Sequence, residues 1–216
     1  MFELSYHGFY PYCEAKVLRS IVNRKCKLLK IKIFVLIFGF FWGLSSHARS
    51  LLNVELAERI QRSDGQELVL NGMGVRKKFF FNIYICGLYV SETTGEKPAI
   101  YDPAKAKRIL MHFVYKSVDK NKLSDGWQEG FAANHSEQES QKLAKRLEQF
   151  NQVMETMQAG EQIVLDYYPA KGTVVSVKGQ EKTVIEGGDF FNALLDVWLG
   201  DKPISSQLKA QLLGKS

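Results

Sequence analysis

The longest strand-like stretch of the chain runs from Glu67 to Val90. It is dominated by β-branched and aromatic residues, and Asn71-Gly72 and Gly74 interrupt it. Both alternating sets of positions from Phe79 to Tyr89 are largely apolar. Because a strand exposed on one face carries polar residues at every second position, this pattern predicts a strand covered on both faces.

Further strands are predicted on either side of a helical segment. Residues 108–115 read as a second central strand, since β-branched and other apolar side chains fill most of it. Turns at 169–172 and 179–180 separate three later strands, which we predict over 161–168, 173–178 and 182–186. Short strands joined by such turns are typical of an antiparallel meander.

Helical periodicity marks the middle and the end of the chain. Residues 119–133 place Leu123, Trp127 and Phe131 four residues apart, and Ser136 with Glu139 forms a capping box before the next helix. That helix carries an apolar stripe of Leu143, Leu147, Phe150, Met154 and Met157. Two more helices are predicted over 190–199 and 203–213. The order of elements favours an α+β domain with helices on one side of an antiparallel sheet.

The first 48 residues resemble an export signal. Seven basic residues lie between Lys16 and Lys32, an uncharged apolar run covers 33–44, and Ser46-His47-Ala48 follows. Twelve helical residues rise only about 18 Å, which is short of the roughly 30 Å hydrocarbon core of a bilayer. We therefore predict a signal peptide over 1–48, cleaved after Ala48, and a secreted or periplasmic domain over 49–216. The alternative is an uncleaved membrane anchor, and we hypothesise that translation starts nearer Val17.

Removal of this segment changes the charge of the protein. The whole chain has 29 basic and 23 acidic residues, a net charge of +6, whereas 22 basic and 21 acidic residues remain after position 48. A nearly neutral domain lacks the basic field that nucleic acids require, so we expect no nucleic-acid partner. No second long apolar run follows, which argues against an integral membrane domain. The oligomeric state stays open.

General catalytic motifs are missing from residues 49–216. We find no HExxH, CxxC, GxSxG, phosphate-binding or dinucleotide-binding motif, and no set of residues spaced to hold zinc. We therefore predict neither a metal nor a cofactor. Cys86 lies in an apolar strand and reads as a small core residue, and His112 as a hydrogen-bonded histidine of the sheet.

The most informative segment is Gly72-Met73-Gly74-Val75-Arg76. It sets a permanently charged guanidinium beside glycines, which allow unusual backbone conformations, and next to an aromatic strand. Such a group must be paired or must face a solvated pocket mouth if apolar side chains surround it. The alternative, which composition alone favours, is a solvated surface arginine beside Lys77 and Lys78.

The segments 72–76 and 79–90 together resemble the chalcone isomerase-like family, in which Gly-x-Gly-x-Arg leads to a strand that ends in Gly-hydrophobic-Tyr. The closing helix pair, 190–200 with Pro203-Ile204-Ser205, is also similar, so the resemblance covers roughly 53–214 and is greatest to the bacterial secreted branch. It implies an open-faced β-sandwich, with a large antiparallel sheet covered by helices and a ligand cleft between them. Plant members cyclise chalcones, whereas related non-catalytic members bind fatty acids.

The resemblance also implies functional residues. In both groups the arginine that matches Arg76 contacts the anionic oxygen of the ligand. At the position of Tyr84 the enzymes carry threonine and the fatty-acid binders tyrosine, and the second tyrosine of the enzymes falls near Lys120, with Tyr115 close but out of register. Eight residues of straight strand would hold Arg76 and Tyr84 about 26 Å apart, so the chain must bend between them.

Three functions therefore stay open. The first is a non-catalytic binder of a fatty acid or similar amphiphilic carboxylate, with Arg76 and Tyr84 at the head group and Phe80, Met111 and Phe113 along the tunnel. The second is an isomerase, or intramolecular lyase, acting on a phenolic chalcone-like substrate, in which Arg76 stabilises an enolate and Tyr84 or a water handles the phenol proton. The third is a structural envelope protein without a cavity.

Overall fold

The computed structural model describes residues 47–215. The predicted signal peptide and the hypothetical start near Val17 lie outside the described residues, except that Ala48 is the first residue of strand β1 (Ala48–Leu51). The described residues belong to one compact unit. Within the described part, no helix combines the length and the apolar character needed to cross a bilayer.

A curled antiparallel sheet of seven strands forms the centre of this unit. Its strands are β3 (Arg59–Gln61), β4 (Glu67–Lys78), β5 (Phe81–Val90), β6 (Lys107–Phe113), β9 (Gln162–Tyr168), β10 (Gly172–Val177) and β11 (Gln180–Ile185). Across the sheet they follow the spatial order β11, β10, β9, β6, β5, β4 and β3. Two strand pairs lie outside it, β1 with β2 (Val54–Ala57) and β7 (Ser117–Val118) with β8 (Met157–Gln158).

The helices contact one face of this sheet, which we call the helix face. Among the described residues they are α1 (Lys97–Tyr101), α2 (Lys120–Asn134), α3 (Glu137–Gln152), α4 (Gly188–Leu199) and α5 (Ser206–Leu212). Helix α5 packs on β4, α4 on β10 and α3 on β11, while α2 packs against α4. The predicted α+β architecture, with helices covering an antiparallel sheet, is confirmed.

Two hydrophobic clusters result, one on each face of the sheet. The larger lies on the helix face and contains an aromatic group of Trp127, Phe131, Phe150, Phe190 and Trp198. The smaller joins the opposite face to strands β1 and β2 through Leu56, Leu70 and Tyr89. Because alternate residues of a strand point to opposite faces, both alternating sets in β5 are apolar from Tyr84 to Val90, and all seven of these residues are buried.

Three local predictions can be compared with this fold. The capping box is confirmed, since the Glu139 backbone N–H donates to Ser136 Oγ and the Ser136 N–H donates to the Glu139 carboxylate. Helix α3 ends at Gln152, so the predicted stripe leaves the helix before Met154 and Met157, which nevertheless stay buried. Phe79 to Tyr89 is not one covered strand, because the chain turns at Phe79 and Phe80 between β4 and β5.

Candidate functional site

The two glycines of the Gly-x-Gly-x-Arg segment lie directly beneath α5. A Cβ atom on Gly72 would lie 2.1 Å from the carbonyl oxygen of Gln211, and one on Gly74 would lie 2.8 Å from Cδ1 of Leu208. Neither glycine has a positive φ. The expectation that they provide backbone freedom is therefore wrong at this point, since they provide room for a helix to approach the sheet closely.

Arg76 follows these glycines on the same side of the sheet. It is the direct partner of Tyr84 in the β4–β5 pair, and the register shifts immediately after this pair. Directly opposed residues of an antiparallel pair have their Cβ atoms about 4.5–5.5 Å apart and point to the same face. The hairpin turn at Phe79-Phe80 thus removes the 26 Å separation expected for a straight strand and brings Arg76 beside Tyr84.

A cavity of about 520 Å³ opens next to this pair, between the sheet and the helices. Small-molecule sites commonly measure about 300–1,000 Å³. Its apolar lining comes from both layers and includes Ile83, Met111, Val118, Leu123, Val197 and Ile204. Charged side chains of both signs also line it, with Arg76 and Lys78 on β4, Asp119 just before α2, and Lys122, Asp125 and Glu129 along α2. The cavity is therefore an apolar space with charged groups along its edge.

Arg76 differs from the other arginines of residues 47–215 in its electrostatic partners. Five of these six arginines pair with a carboxylate, namely Arg49, Arg59, Arg62, Arg108 and Arg146. Arg76 is half-buried, and the hydrogen bond that its guanidinium makes is to the backbone oxygen of Lys77. Within the described chain this charge has no ion-pair partner, so it is available to an anion in the cavity.

Tyr84 is held in place from the helix layer. Its side chain is buried, its ring lies 5.6 Å from that of Phe113, and its hydroxyl accepts a 3.0 Å hydrogen bond from Trp198 Nε1 on α4. Burial raises the pKa of this hydroxyl far above its ordinary value, although the Trp198 hydrogen bond and the Arg76 charge act in the opposite direction. Tyr84 therefore stays protonated at physiological pH. Its oxygen accepts the hydrogen bond from Trp198, and its own O–H can donate to a further acceptor.

Trp127 is a buried residue of the cavity wall. It lies on α2 and is only 3% exposed. Its indole Nε1 is itself buried and has no hydrogen-bond partner among the described residues, whereas most buried polar groups in folded proteins are satisfied. Arg76 and Tyr84 are thus two donors beside one apolar space, an arrangement suited to a ligand with acceptor oxygens.

The structure brings together three of the five residues predicted from the sequence. Arg76, Tyr84 and Met111 line the cavity. Phe113 is fully buried behind Tyr84 and is not a lining residue. Phe80 is 99% exposed at the hairpin turn, so the expectation that it lines a tunnel is not met. Its β-like sequence context gave no sign that the turn falls there.

Other lining residues were not foreseen as a group. The helical spacing of Trp127 indicates only core packing, and the sequence places Tyr115 out of register with the enzymes' tyrosine. Tyr115 lines the cavity and packs edge-on against Phe81 at 5.3 Å. Lys120 is exposed, and its backbone N–H donates to Thr156 Oγ1. These positions depend on how α2 lies over the sheet, which no local pattern reports.

The remaining chemistry-bearing side chains have structural partners. Nδ1 of His112 lies 3.0 Å from Nε2 of Gln162 on the neighbouring strand, as expected for a histidine of the sheet. Cys86 is fully buried, and burial raises the pKa of its thiol, so it is an inert core residue. No group of three or more histidine, cysteine or acidic residues in the described part of the chain is arranged to hold a metal ion.

Comparison with known proteins agrees with this geometry. A family model described as chalcone isomerase-like matches residues 48–214. The chain belongs to the chalcone isomerase-like family. No functionally curated protein matches the sequence significantly.

A solved structure supports the fold independently. The crystal structure of a fatty-acid binding protein from Arabidopsis thaliana matches with a TM-score of 0.60, covering 77% of this chain and 96% of its own, at 14% sequence identity. At that identity the likeness establishes the fold. The open-faced β-sandwich predicted for this family is thus confirmed. The family model confirms the family assignment made from 72–76, 79–90 and the closing helix pair.

Proposed function

We propose that this protein is an exported, non-catalytic binder of a fatty acid or a similar amphiphilic carboxylate. The observation that carries the proposal is the position of Arg76, an arginine that has no carboxylate partner among the described residues and lies at the edge of an apolar cavity. In this proposal Arg76 anchors the carboxylate, Tyr84 donates a second hydrogen bond, and the apolar lining holds the chain. The fatty-acid binding protein with the same fold gives a precedent for such a ligand.

The polarity of the cavity supports a carboxylate over a neutral ligand. A carboxylate has only acceptor sites, and Arg76 and Tyr84 can act as donors to it. Charge-assisted hydrogen bonds are roughly twice as strong as neutral ones, and a guanidinium can engage both oxygens at once. The acidic residues that line the cavity, such as Asp125 and Glu129, are exposed and lie on α2. Neither of these two forms an ion pair with Arg76 within the described chain, so Arg76 can still bind a carboxylate.

The proton chemistry of the site supports binding without catalysis. Cyclisation of a phenolic substrate needs a group that accepts the phenol proton, and the raised pKa of Tyr84 keeps that hydroxyl protonated. The position that would match the enzymes' second tyrosine falls near Lys120, an exposed residue. Tyr115 lines the cavity instead.

Native mass spectrometry tests the proposal. The native protein is purified without delipidation from the cells that produce it, with whatever processing the cells have carried out. Its bound molecules are then identified. We expect an acyl carboxylate with the unmodified protein and none with Arg76→Gln. Arg59→Gln is the matched control, because Arg59 is an exposed arginine that pairs with Glu67 on the adjacent strand. A well-folded unmodified protein that carries no acyl molecule and takes none up would refute the proposal.

Two further measurements address the isomerase alternative and export. Turnover of a hydroxychalcone above the uncatalysed rate, abolished by Arg76→Gln, would replace the binder with an isomerase. Fractionation of the producing cell, with N-terminal sequencing of the product, tests export. A product that begins near Arg49 in the periplasm or medium agrees with the proposal, and an uncleaved product in the cytoplasm contradicts export.

A further inference from the structure

The turn between β4 and β5 presents three consecutive phenylalanines to solvent. Phe79, Phe80 and Phe81 are 83%, 99% and 54% exposed. Large apolar side chains exposed together usually mark an interaction surface, whereas single ones are common on any protein. Among the described residues the other large hydrophobic side chain with comparable exposure is Leu52, which stands alone on a different turn. We call the three phenylalanines the aromatic tip.

Basic residues flank the aromatic tip along the chain and in the neighbouring loop. Lys77 and Lys78 precede it, and residues 68–91 contain no acidic side chain. The neighbouring loop adds Tyr115, whose ring contacts that of Phe81, and Lys116, and residues 103–118 likewise contain no acid. Aromatic residues flanked by lysines are the combination found where proteins meet the interface of an anionic membrane.

The aromatic tip is also continuous with the cavity. Phe79, Phe81 and Lys78 line the cavity described above, while Phe80 does not line it and has nearly all its surface exposed. An exposed hairpin turn can insert its side chains into a lipid interface without a preformed complementary pocket. A protein partner would need a matching concave pocket and acidic groups for the lysines.

We propose that the aromatic tip inserts into the interface of an anionic lipid bilayer, with Lys77, Lys78 and Lys116 at the headgroups. The mouth of the cavity then opens at the membrane surface. The membrane contact does not depend on the proposed ligand. It goes beyond that function by assigning the surface at which an amphiphile would enter or leave.

Vesicle partitioning tests the contact. The protein is mixed with vesicles of equimolar phosphatidylcholine and phosphatidylglycerol, and the bound fraction is measured by sedimentation. Phe80→Ser removes one exposed side chain outside the cavity and should weaken partitioning about tenfold. Lys77→Gln should weaken it about fivefold and reduce its dependence on salt, since each basic residue near such a surface contributes about 1 kcal/mol. Leu52→Ser, the control, should change it little.

A local probe separates the tip from any contribution of residues 1–46. Phe80→Trp should show a blue-shifted emission on addition of vesicles and quenching by brominated lipid, read as a difference from the unmodified protein. Lys171→Trp is the control. The strand registers place the turn that contains Lys171 at the end of the sheet opposite the turn between β4 and β5. Both positions are exposed, so both variants should fold.

The outcomes are distinct. An unshifted Phe80→Trp emission, or Phe80→Ser partitioning like the unmodified protein, would overturn the proposal. Loss of a dimer in Phe80→Ser without any change in vesicle binding would assign the tip to contact between copies and overturn it too. Phe80→Ser should still take up an acyl ligand in solution. A protein that binds vesicles through Phe80 but holds no acyl ligand would refute the proposed function and leave this inference intact.

Discussion

Replacement of Gly72 by alanine should destabilise the protein strongly, although the backbone there suits any residue. The new Cβ would lie 2.1 Å from the Gln211 carbonyl oxygen and 2.6 Å from that of Leu212. The shortest normal separation between a carbon and a carbonyl oxygen is about 3.3 Å, so α5 must move outward by about 1 Å. Both obstructing atoms belong to the helix backbone, and no side-chain rotation can relieve the clash.

The magnitude follows from what α5 contributes. Leu208 and Leu212 of this helix are fully buried, and Asn71 Nδ2 donates to the Leu212 carbonyl at 2.8 Å. Overpacking typically costs about 1–3 kcal/mol, and a gap of this size forfeits a quarter to a half of the dispersion energy of the separated atoms. We expect a loss of about 3 kcal/mol in the free energy of unfolding. For a domain of this size that lowers Tm by roughly 6–12 °C.

Gly126→Ala is the matched control. Gly126 lies in the interior of α2, and a Cβ there would meet nothing within 4 Å. The same substitution should therefore stabilise the protein by about 0.5–1 kcal/mol, because alanine favours the helix. Denaturant unfolding of both variants gives the two free energies. If Gly72→Ala falls within about 0.5 kcal/mol of the unmodified protein, the close-packing explanation of the glycine pair is wrong.

Three further predictions follow from individual side chains. Tyr84→Phe leaves the buried Trp198 Nε1 without its acceptor and should cost about 1–3 kcal/mol in denaturant unfolding; an unchanged midpoint would show that this hydrogen bond is not formed. Ser136→Ala removes the capping box and should cost about 1 kcal/mol, and equal stability would contradict the cap. Burial lowers the pKa of Lys107 from 10.5 to about 8, so the unfolded chain binds more protons between these values and stability should rise from pH 8 to about 10. Lys107→Met should flatten that rise, and an equal slope in both proteins would contradict the lowered pKa.

The local pattern was sufficient for the elements that depend on it. The strands at 162–168 and 172–177, the helix that follows Ser136 and the buried Cys86 all carry their signals within a few residues. The hairpin turn at Phe79-Phe80 was missed because phenylalanine favours strands, and Phe79 adopts a positive φ of 54° that glycine or asparagine adopts more readily. The strand-favouring phenylalanines therefore gave no indication of the turn that brings Arg76 beside Tyr84.

The site itself was predictable only in part. Arg76 and Tyr84 could be singled out from the segment and the family resemblance, but their direct pairing across the hairpin could not, since a separation of eight positions suggested distance. The Tyr84–Trp198 hydrogen bond joins residues 114 apart in sequence, and no local signal predicts it. The same holds for Trp127, whose helical spacing indicated core packing and whose unpaired indole nitrogen is visible only in three dimensions.

The role of Arg76 is tested most directly by comparing two ligands that differ only in the head group. Dissociation constants for hexadecanoic acid and hexadecanol are measured for the unmodified protein and for Arg76→Gln. Hydrogen bonds to charged groups contribute about 1.5–3 kcal/mol, so the unmodified protein should prefer the acid by about 10- to 150-fold. Arg76→Gln should lose that preference while its affinity for the alcohol stays the same. An equal preference for the acid in both proteins would contradict the account.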